Sequence, residues 1–337
     1  MRKMASVQKI LAVKPIEGAD LIVAYQVKGW WVVDKKDAYQ VGDMVVYCEV
    51  DSWIPTELAP FLSKGKEPRI FNEVRGEKLK TVRLKGQLSQ GLLLPLSPAC
   101  DTIDTDIVED CDVSVQLNIQ KWELPETGSL GGNPKGTFPS HTPKTDQERV
   151  QNLGKTLTSL WTQKDWAWEV TEKLEGSSCT IFHFEGETGV CSRNQELKED
   201  ENNSFWKVAR KYDLPNKLKT LGLNLSIQGE LVGPGVQGNI YKLNELDLFI
   251  YDVYDINSGL YYNANERQVL CQELGLKHTP VIRFMTMENQ TIDSLLELAD
   301  GKSKINPAVN REGLVFKCVP FQASFKAISN AYLLKQG

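Results

Sequence analysis

The sequence predicts an α+β fold in two domains, a small all-β barrel followed by a larger domain of antiparallel sheets with short helices. Three observations lead there. At 337 residues, the chain exceeds what one typical hydrophobic core supports. Its first hundred residues break into short β-rich runs, whereas helical patterning is confined to the part beyond residue 144. Between the two parts, residues 122–144 are rich in Gly, Pro, Ser and Thr.

In chain order, the runs 23–27, 30–33, 44–47 and 92–94 carry the β-branched, aromatic and aliphatic residues that favour strands. Gly18, Gly29, Gly42, Gly86 and Gly91 punctuate them. Several short strands at this spacing describe a barrel or sandwich, and an OB-like barrel over residues 1–121 suits this length. The stretch 122–144 then reads as a linker. Thr145 or Asp146 could cap a helix running to about residue 153. Strands return in hairpins at 180–184 and 189–191, and helical patterns follow at 202–212, 264–274 and 290–300. The region 145–337 is therefore expected to be one α+β domain.

The bulk numbers exclude several classes. The composition, 41% hydrophobic and 25% charged, holds no biased tract and no apolar run near the roughly 18 residues of a membrane span. Nothing behind Met1-Arg2-Lys3 resembles a signal peptide. Seven scattered cysteines, odd in number and without a CxxC pair, argue for reduced thiols in a cytoplasmic or nuclear compartment, and against a disulfide framework or zinc site. His141, His183 and His278 show no metal or triad spacing and read as structural or exposed. A net charge of −5 speaks against a nucleic-acid binder, but a local patch can act against the total. Lys64, Lys66, Arg69, Arg75, Lys78, Lys80, Arg83 and Lys85 face only Glu67, Glu73 and Glu77. They are candidates for contacting nucleic acid from a loop and the following strand, and a solvated surface strip is the plain alternative.

Lys173 stands between Glu172 and Glu175 at the end of a predicted strand, followed by Gly176. Alone, that is a commonplace loop. Yet Lys173-Leu174-Glu175-Gly176 resembles motif I of the covalent nucleotidyltransferases, the ligases and mRNA capping enzymes, and further pieces follow in the family's order. Ser192-Arg193-Asn194 resembles motif Ia, and the string from Gln228-Gly229-Glu230 to Gln237 resembles motif III of nick-sealing RNA ligases. Residues 249–253 resemble motif IIIa, Glu312-Gly313 through Lys317 motif IV, and Phe325-Lys326 through Asn330 motif V. Each is weak; six in order across 170–330 form a specific signal. Gly29-Trp30-Trp31, Val41-Gly42-Asp43 and the Gly86 to Leu92 stretch resemble the OB domain of Deinococcus/Naegleria-type RNA ligases, RNA ligase family 5, in which that domain precedes the catalytic one.

The resemblance implies an adenylyltransferase domain over 145–337 and an ATP-dependent RNA ligase. Lys173 would carry AMP covalently. Glu230 and Glu312 would hold Mg²⁺ or Mn²⁺ directly or through water, and Lys326 would join them in catalysis. Glu172, Glu175, Arg193 and Lys317 would bind the nucleotide, with Tyr251 or Phe249 stacking on adenine and Arg149 contacting phosphate. Many ligases have a second lysine in motif V where this chain has Ile328, so Lys326 suffices alone or another cation such as Lys335 substitutes. A free lysine amine is neutral in roughly one molecule of 2,500 at pH 7, so nearby cations must favour its deprotonation. The implied partner is a nucleic acid with 3′-OH and 5′-phosphate ends, a nicked RNA duplex or RNA/DNA hybrid, sealed by a monomer with selection of a ribonucleotide 3′-OH. The alternatives are another covalent nucleotidyltransferase (a GTP-dependent capping enzyme or a DNA ligase) and a catalytically silent RNA-binding protein.

Overall fold

Val45 and Tyr47 point into one hydrophobic cluster while Val46 and Cys48 point into another, so the strand that carries them is buried on both faces. This strand, β5 (Met44–Cys48), organises the N-terminal part of the computed structural model, which describes residues 2–97, 108–123 and 130–335. It lies between β1 (Ala5–Lys9) and β11 (Leu92–Leu94) in one antiparallel sheet. A second sheet joins β2 (Ala12–Ile16), β3 (Ala19–Val27) and β4 (Trp30–Lys35). A third places β6 (Ser52–Pro55) and β8 (Val74–Lys78) between β12 (Gln120–Lys121) and β7 (Arg69–Phe71), and β9 (Val82–Leu84) forms a hairpin with β10 (Gln87–Ser89). Tyr25, Trp30 and Tyr47, each at most 1% exposed, fill one core.

The chain divides into two compact units, and residues 150–155 belong with the first. The helix expected from residue 145 is not there. Glu148–Arg149 form β14, a parallel partner of the later strand at 325–326, and Val150–Leu153 make one 3₁₀ turn before a short helix at Gly154–Ser159. Hydrogen bonds from Gly29 N to Gln151 O (2.8 Å) and from Trp30 Nε1 to Asn152 Oδ1 (2.7 Å) hold that turn, so long-range pairing overrides the local capping signal. The stretch read as a linker also contains a paired strand, β13 (Pro134–Thr137). The basic stretch is more structured than a loop and one strand, because it runs from the turn at Pro60–Ser63 through β7, β8 and β9.

The second unit is built on two sheets. The larger runs β13, β18 (Gln195–Leu197), β17 (Glu187–Cys191), β16 (Ser177–Phe184), β19 (Leu225–Val232), β20 (Asp247–Asp255) and β21 (Leu260–Tyr261), with β22 (Lys277–His278) also on β20. The smaller runs β14, β25 (Ser324–Ile328), β24 (Gly313–Cys318), β15 (Trp168–Lys173) and β23 (Val281–Met285). The three expected helices are found at Ser204–Lys211, Ala264–Glu273 and Ile292–Ala299, capped by Asn203, Asn263 and Thr291. A further helix at Leu214–Leu221 escaped the sequence reading. Among the described residues no helix is long and apolar enough to cross a membrane.

Strand alternation decides what each sheet presents. Cys179, Ile181, Ile227, Leu231 and Ile250 face a core beneath the larger sheet, which leaves Ser178, Glu230 and Phe249, directly paired across three strands, on its other face. In the smaller sheet Trp168, Phe316 and Phe325 pack their rings together with Trp161 on one side. Glu169, Thr171 and Lys173, with Lys317 and Lys326, alternate to the opposite side.

Candidate active site

Lys173 ends β15 opposite Gly313, the residue after Glu312, and its Nζ lies 2.8 Å from Glu312 Oε1. The two side chains are 24% and 15% exposed, so the pair is sheltered but not sealed. Gly176 and Gly313 make this approach possible. A Cβ on Gly176 would come within 2.3 Å of Leu231 O and 2.8 Å of Glu230 Cγ, and one on Gly313 within 2.2 Å of Ala327 O. The glycine after Lys173 thus lets its loop press against the strand that bears Glu230, and the Gly176 N–H donates to the Glu230 carboxyl.

Electrostatics couples these groups. Burial opposes the Lys173 ammonium, but Glu312 and Glu230 together outweigh it and hold the lysine above its ordinary value. Burial pushes Glu230 up to about 7; Lys173 pulls it down and Glu312 pushes it further up. Burial, reinforced by Glu312, also raises Glu175. Arg193, ion-paired with Asp146 at 2.6 Å, projects positive charge toward both Lys173 and Glu230.

Two carboxylate oxygens near this group are buried without a hydrogen-bond partner. Glu172 accepts the Lys304 backbone N–H at 2.7 Å through Oε2, while its Oε1 has none; Glu175 Oε2 has none either. The Glu175 backbone N–H donates to the Tyr241 hydroxyl at 2.7 Å, and its carboxyl hydrogen-bonds Tyr332. Neither tyrosine was identified from sequence. They lie outside the motif strings, and no spacing betrays a phenol that reaches the site across the fold.

The two aromatic candidates separate. Phe249, 7% exposed, packs with Leu174, Val232 and Tyr241 in the cluster next to Lys173. Tyr251 is tied by its hydroxyl to Ser178 Oγ at 2.9 Å, which in turn meets Thr145 Oγ1 at 2.9 Å. Lys317 donates to Asp252 Oδ1 at 2.6 Å and to the Tyr251 carbonyl, so it shares the Lys173 face but is held further along β24. Arg149, buried, pairs in register with Lys326. The structure therefore gathers Lys173, Glu230, Glu312, Glu175 and Arg193, with Tyr251 beside Glu230 and with Glu172 and Phe249 adjoining through Tyr241, and sets Arg149, Lys326 and Lys317 along the same sheet as Lys173.

The basic residues of the first unit do not form one free patch. Arg69 pairs with Glu77 at 2.6 Å, Arg75 with Glu67 at 2.5 Å and Lys78 with Asp51 at 3.2 Å, while Lys78 also lies over the Trp122 ring. Lys64, Lys66, Arg83 and Lys85 are exposed, and Lys80 is half-buried.

Comparisons with known proteins identify relatives of this fold. A family model described as RNA ligase matches residues 167–328, and one described as an OB-fold domain matches residues 4–96. No curated protein matches the chain. Among solved structures, Naegleria gruberi RNA ligase with PPi is 41% identical, with 99% of each chain covered and a TM-score of 0.92. Variants of that ligase with ATP and Mn and with AMP and Mn are each 41% identical, cover 99% of both chains and have a TM-score of 0.91. On that identity and coverage, this chain belongs to the RNA ligase family.

Proposed function

We propose that this chain, an ATP-dependent RNA ligase, seals 3′-OH/5′-phosphate nicks with Lys173 as its AMP carrier and selects a ribonucleotide at the 3′-OH side. The observation that carries the reading is the convergence of Glu312, Glu230 and Glu175 on one sheltered lysine. The Lys173 nitrogen attacks the α-phosphorus of ATP, forming a P–N bond as pyrophosphate departs. A 5′-phosphate oxygen of the RNA then takes the AMP and frees the lysine. Finally a 3′-hydroxyl attacks the adenylylated end, forming the phosphodiester and releasing AMP.

The donor set fits a hard divalent cation. Glu230 and Glu312 offer carboxylate oxygens, and Glu175 adds one that is buried without a partner. Mg²⁺ or Mn²⁺ held by Glu230 and Glu312 would neutralise charge on the α-phosphate and the leaving pyrophosphate. Glu230 and Glu312 stabilise the Lys173 ammonium, so engaging them elsewhere favours the neutral nucleophile.

Unpartnered Glu172 Oε1 suits the amino group of adenine, and Phe249 supplies the adjacent flat surface. Arg149, Arg193, Lys317 and Lys326 serve the phosphates, with Tyr251 buttressing the sheet from beside Asp252. The exposed cations Lys64, Lys66, Arg83 and Lys85 are suited to backbone phosphates, joined by Arg69, Arg75, Lys78 and Lys80 where their ion pairs exchange. The described cysteines are free thiols, which supports an intracellular setting, cytoplasmic or nuclear, and a monomer suffices for the reaction as written. Incubation with Mg²⁺ and α-labelled ATP or GTP tests the reading. Covalent label from ATP that disappears in Lys173→Ala supports it; label from GTP alone, or none, overturns it.

A further inference from the structure

Glu175 and Gly176 form a bend between β15 and β16, so neither belongs to a strand ladder. The backbone N–H and the carboxyl of Glu175 must find their partners elsewhere. Two phenols meet them. The N–H donates to the Tyr241 hydroxyl at 2.7 Å, and the Tyr332 hydroxyl donates to the carboxyl. The oxygen Oε2 is buried and has no partner. Burial, and after it Glu312, disfavours charge on this carboxyl, which leaves its orientation to the few bonds it makes.

Each phenol is held by its own surroundings. Tyr241 is 3% exposed, and its ring packs with Leu174, Val232 and Phe249. The loop that bears it is cross-tied. The Asn239 side chain accepts the Leu243 N–H at 3.1 Å and donates to the Leu243 carbonyl at 3.0 Å, while Asn306 Nδ2 donates to the Tyr241 carbonyl at 3.2 Å. Tyr332 lies in the short helix Asn330–Lys335, which Ser329 fastens to Glu312. The Ser329 N–H donates to the Glu312 carbonyl at 2.9 Å. Ser329 Oγ accepts the Tyr332 N–H at 3.1 Å and donates to Asp300 Oδ1 at 2.5 Å. The backbone of Glu312 thereby sets where Tyr332 stands beside Glu175.

We propose that Tyr241 and Tyr332 are positioning residues that clamp Glu175, one by its backbone and one by its carboxyl, and so keep its unpartnered oxygen in place for a metal-bound water. Neither phenol reacts with ATP; each acts through Glu175. The inference rests on the RNA ligase reading above and adds two residues to its site.

The test uses the full chain. Tyr241→Phe and Tyr332→Phe each remove one oxygen and keep the ring. A hydrogen bond to a charged group supports a loss of about tenfold, so single-turnover labelling of Lys173 by ATP is expected to slow by that much in Tyr332→Phe, and severalfold in Tyr241→Phe. Mn²⁺ binding beside a non-reacting ATP analogue, read from the electron paramagnetic resonance signal of the free ion, should weaken by about tenfold in Tyr332→Phe. The same substitutions made in Glu175→Ala should cost less than about twofold further, because the residue they act through is gone. Losses that persist in full in that background overturn the proposal, and general destabilisation would produce that result. Wild-type labelling and metal binding in both single variants overturn it too. A wild-type chain that takes no label from ATP sinks the ligase reading itself, whereas a labelled wild type with independent variants sinks the clamp alone.

Discussion

Lys173 Nζ and Glu312 Oε1 are 2.8 Å apart, joined across two paired strands whose ends bring residue 173 opposite residue 313. The contact sets the resting charge of the proposed nucleophile. Burial alone would favour the neutral amine, but Glu312 and Glu230 reverse that balance and keep the lysine charged until they are otherwise engaged.

Removing Glu312 therefore has two opposed effects. Glu312→Ala releases the ammonium, yet it also deletes a carboxylate that would anchor charge around the reacting phosphate. The second effect dominates if Glu312 works through the metal, and a loss of about 10²-fold or more in the first step is expected. Single-turnover labelling of Lys173 by ATP measures it; a variant within threefold of the wild type would contradict the assigned role.

Gly176→Ala inserts a methyl group where the backbone oxygen of Leu231 stands 2.3 Å away and Glu230 Cγ 2.8 Å away. Backbone on one side and the site carboxylate on the other leave little to yield. The expected loss of stability is about 1–3 kcal/mol, with slower adenylylation because the loop after Lys173 is displaced. Denaturant titration and labelling of the same preparation check both; unchanged stability would show that the strand bearing Glu230 can shift.

Arg267 and Glu169 form an ion pair with both side chains 2% exposed. Arg267→Met alone strands a buried carboxylate and is expected to cost about 3–5 kcal/mol, whereas adding Glu169→Leu should restore much of the loss. Urea denaturation of the single and double variants tests this, and equal stability of the two would argue that water reaches Glu169.

His278 supplies a pH dependence. Its Nε2 accepts from Arg267 Nε at 2.9 Å and its Nδ1 meets the Thr279 carbonyl at 2.5 Å, a neutral-ring arrangement. Burial, with the Arg267 charge beside it, lowers its pKa to about 4; Glu169 opposes and Lys317 reinforces the shift. The unfolded chain takes up this proton near pH 6.5 and the folded chain only near 4. The stabilisation is thus complete above about pH 6.5 and is lost as pH falls toward 4. Melting curves of wild type and His278→Gln should diverge over that window, the wild type losing more on acidification; parallel curves would rule the histidine out as the source.

The candidate site was legible in the sequence because a nucleotidyl-transfer site fixes residue types at short range. Lys173 with Gly176, Glu230 after Gly229, and Glu312 before Gly313 all stand in strings whose glycines mark close backbone approach. The helices at Ser204–Lys211, Ala264–Glu273 and Ile292–Ala299 were legible for a similar reason, since polar caps and helical patterning are local. The region after residue 144 was not, because a capping signal at Thr145 and Asp146 cannot register that Arg149 will find a ladder on β25.

By itself, then, the sequence determined the order of the domains and singled out Lys173 and its acidic neighbours as the candidate site. Only the tertiary structure separated the two aromatics, setting Phe249 in a cluster with Leu174 and Tyr241 and Tyr251 against Ser178 beside Glu230. It alone brought Tyr241 and Tyr332 to Glu175 and left Glu172 Oε1 and Glu169 Oε1 without donors. The physical reason is range. Strand alternation and glycine turns are written within a few residues, whereas burial, pairing and an unfilled hydrogen bond depend on which distant segments the folded chain sets side by side.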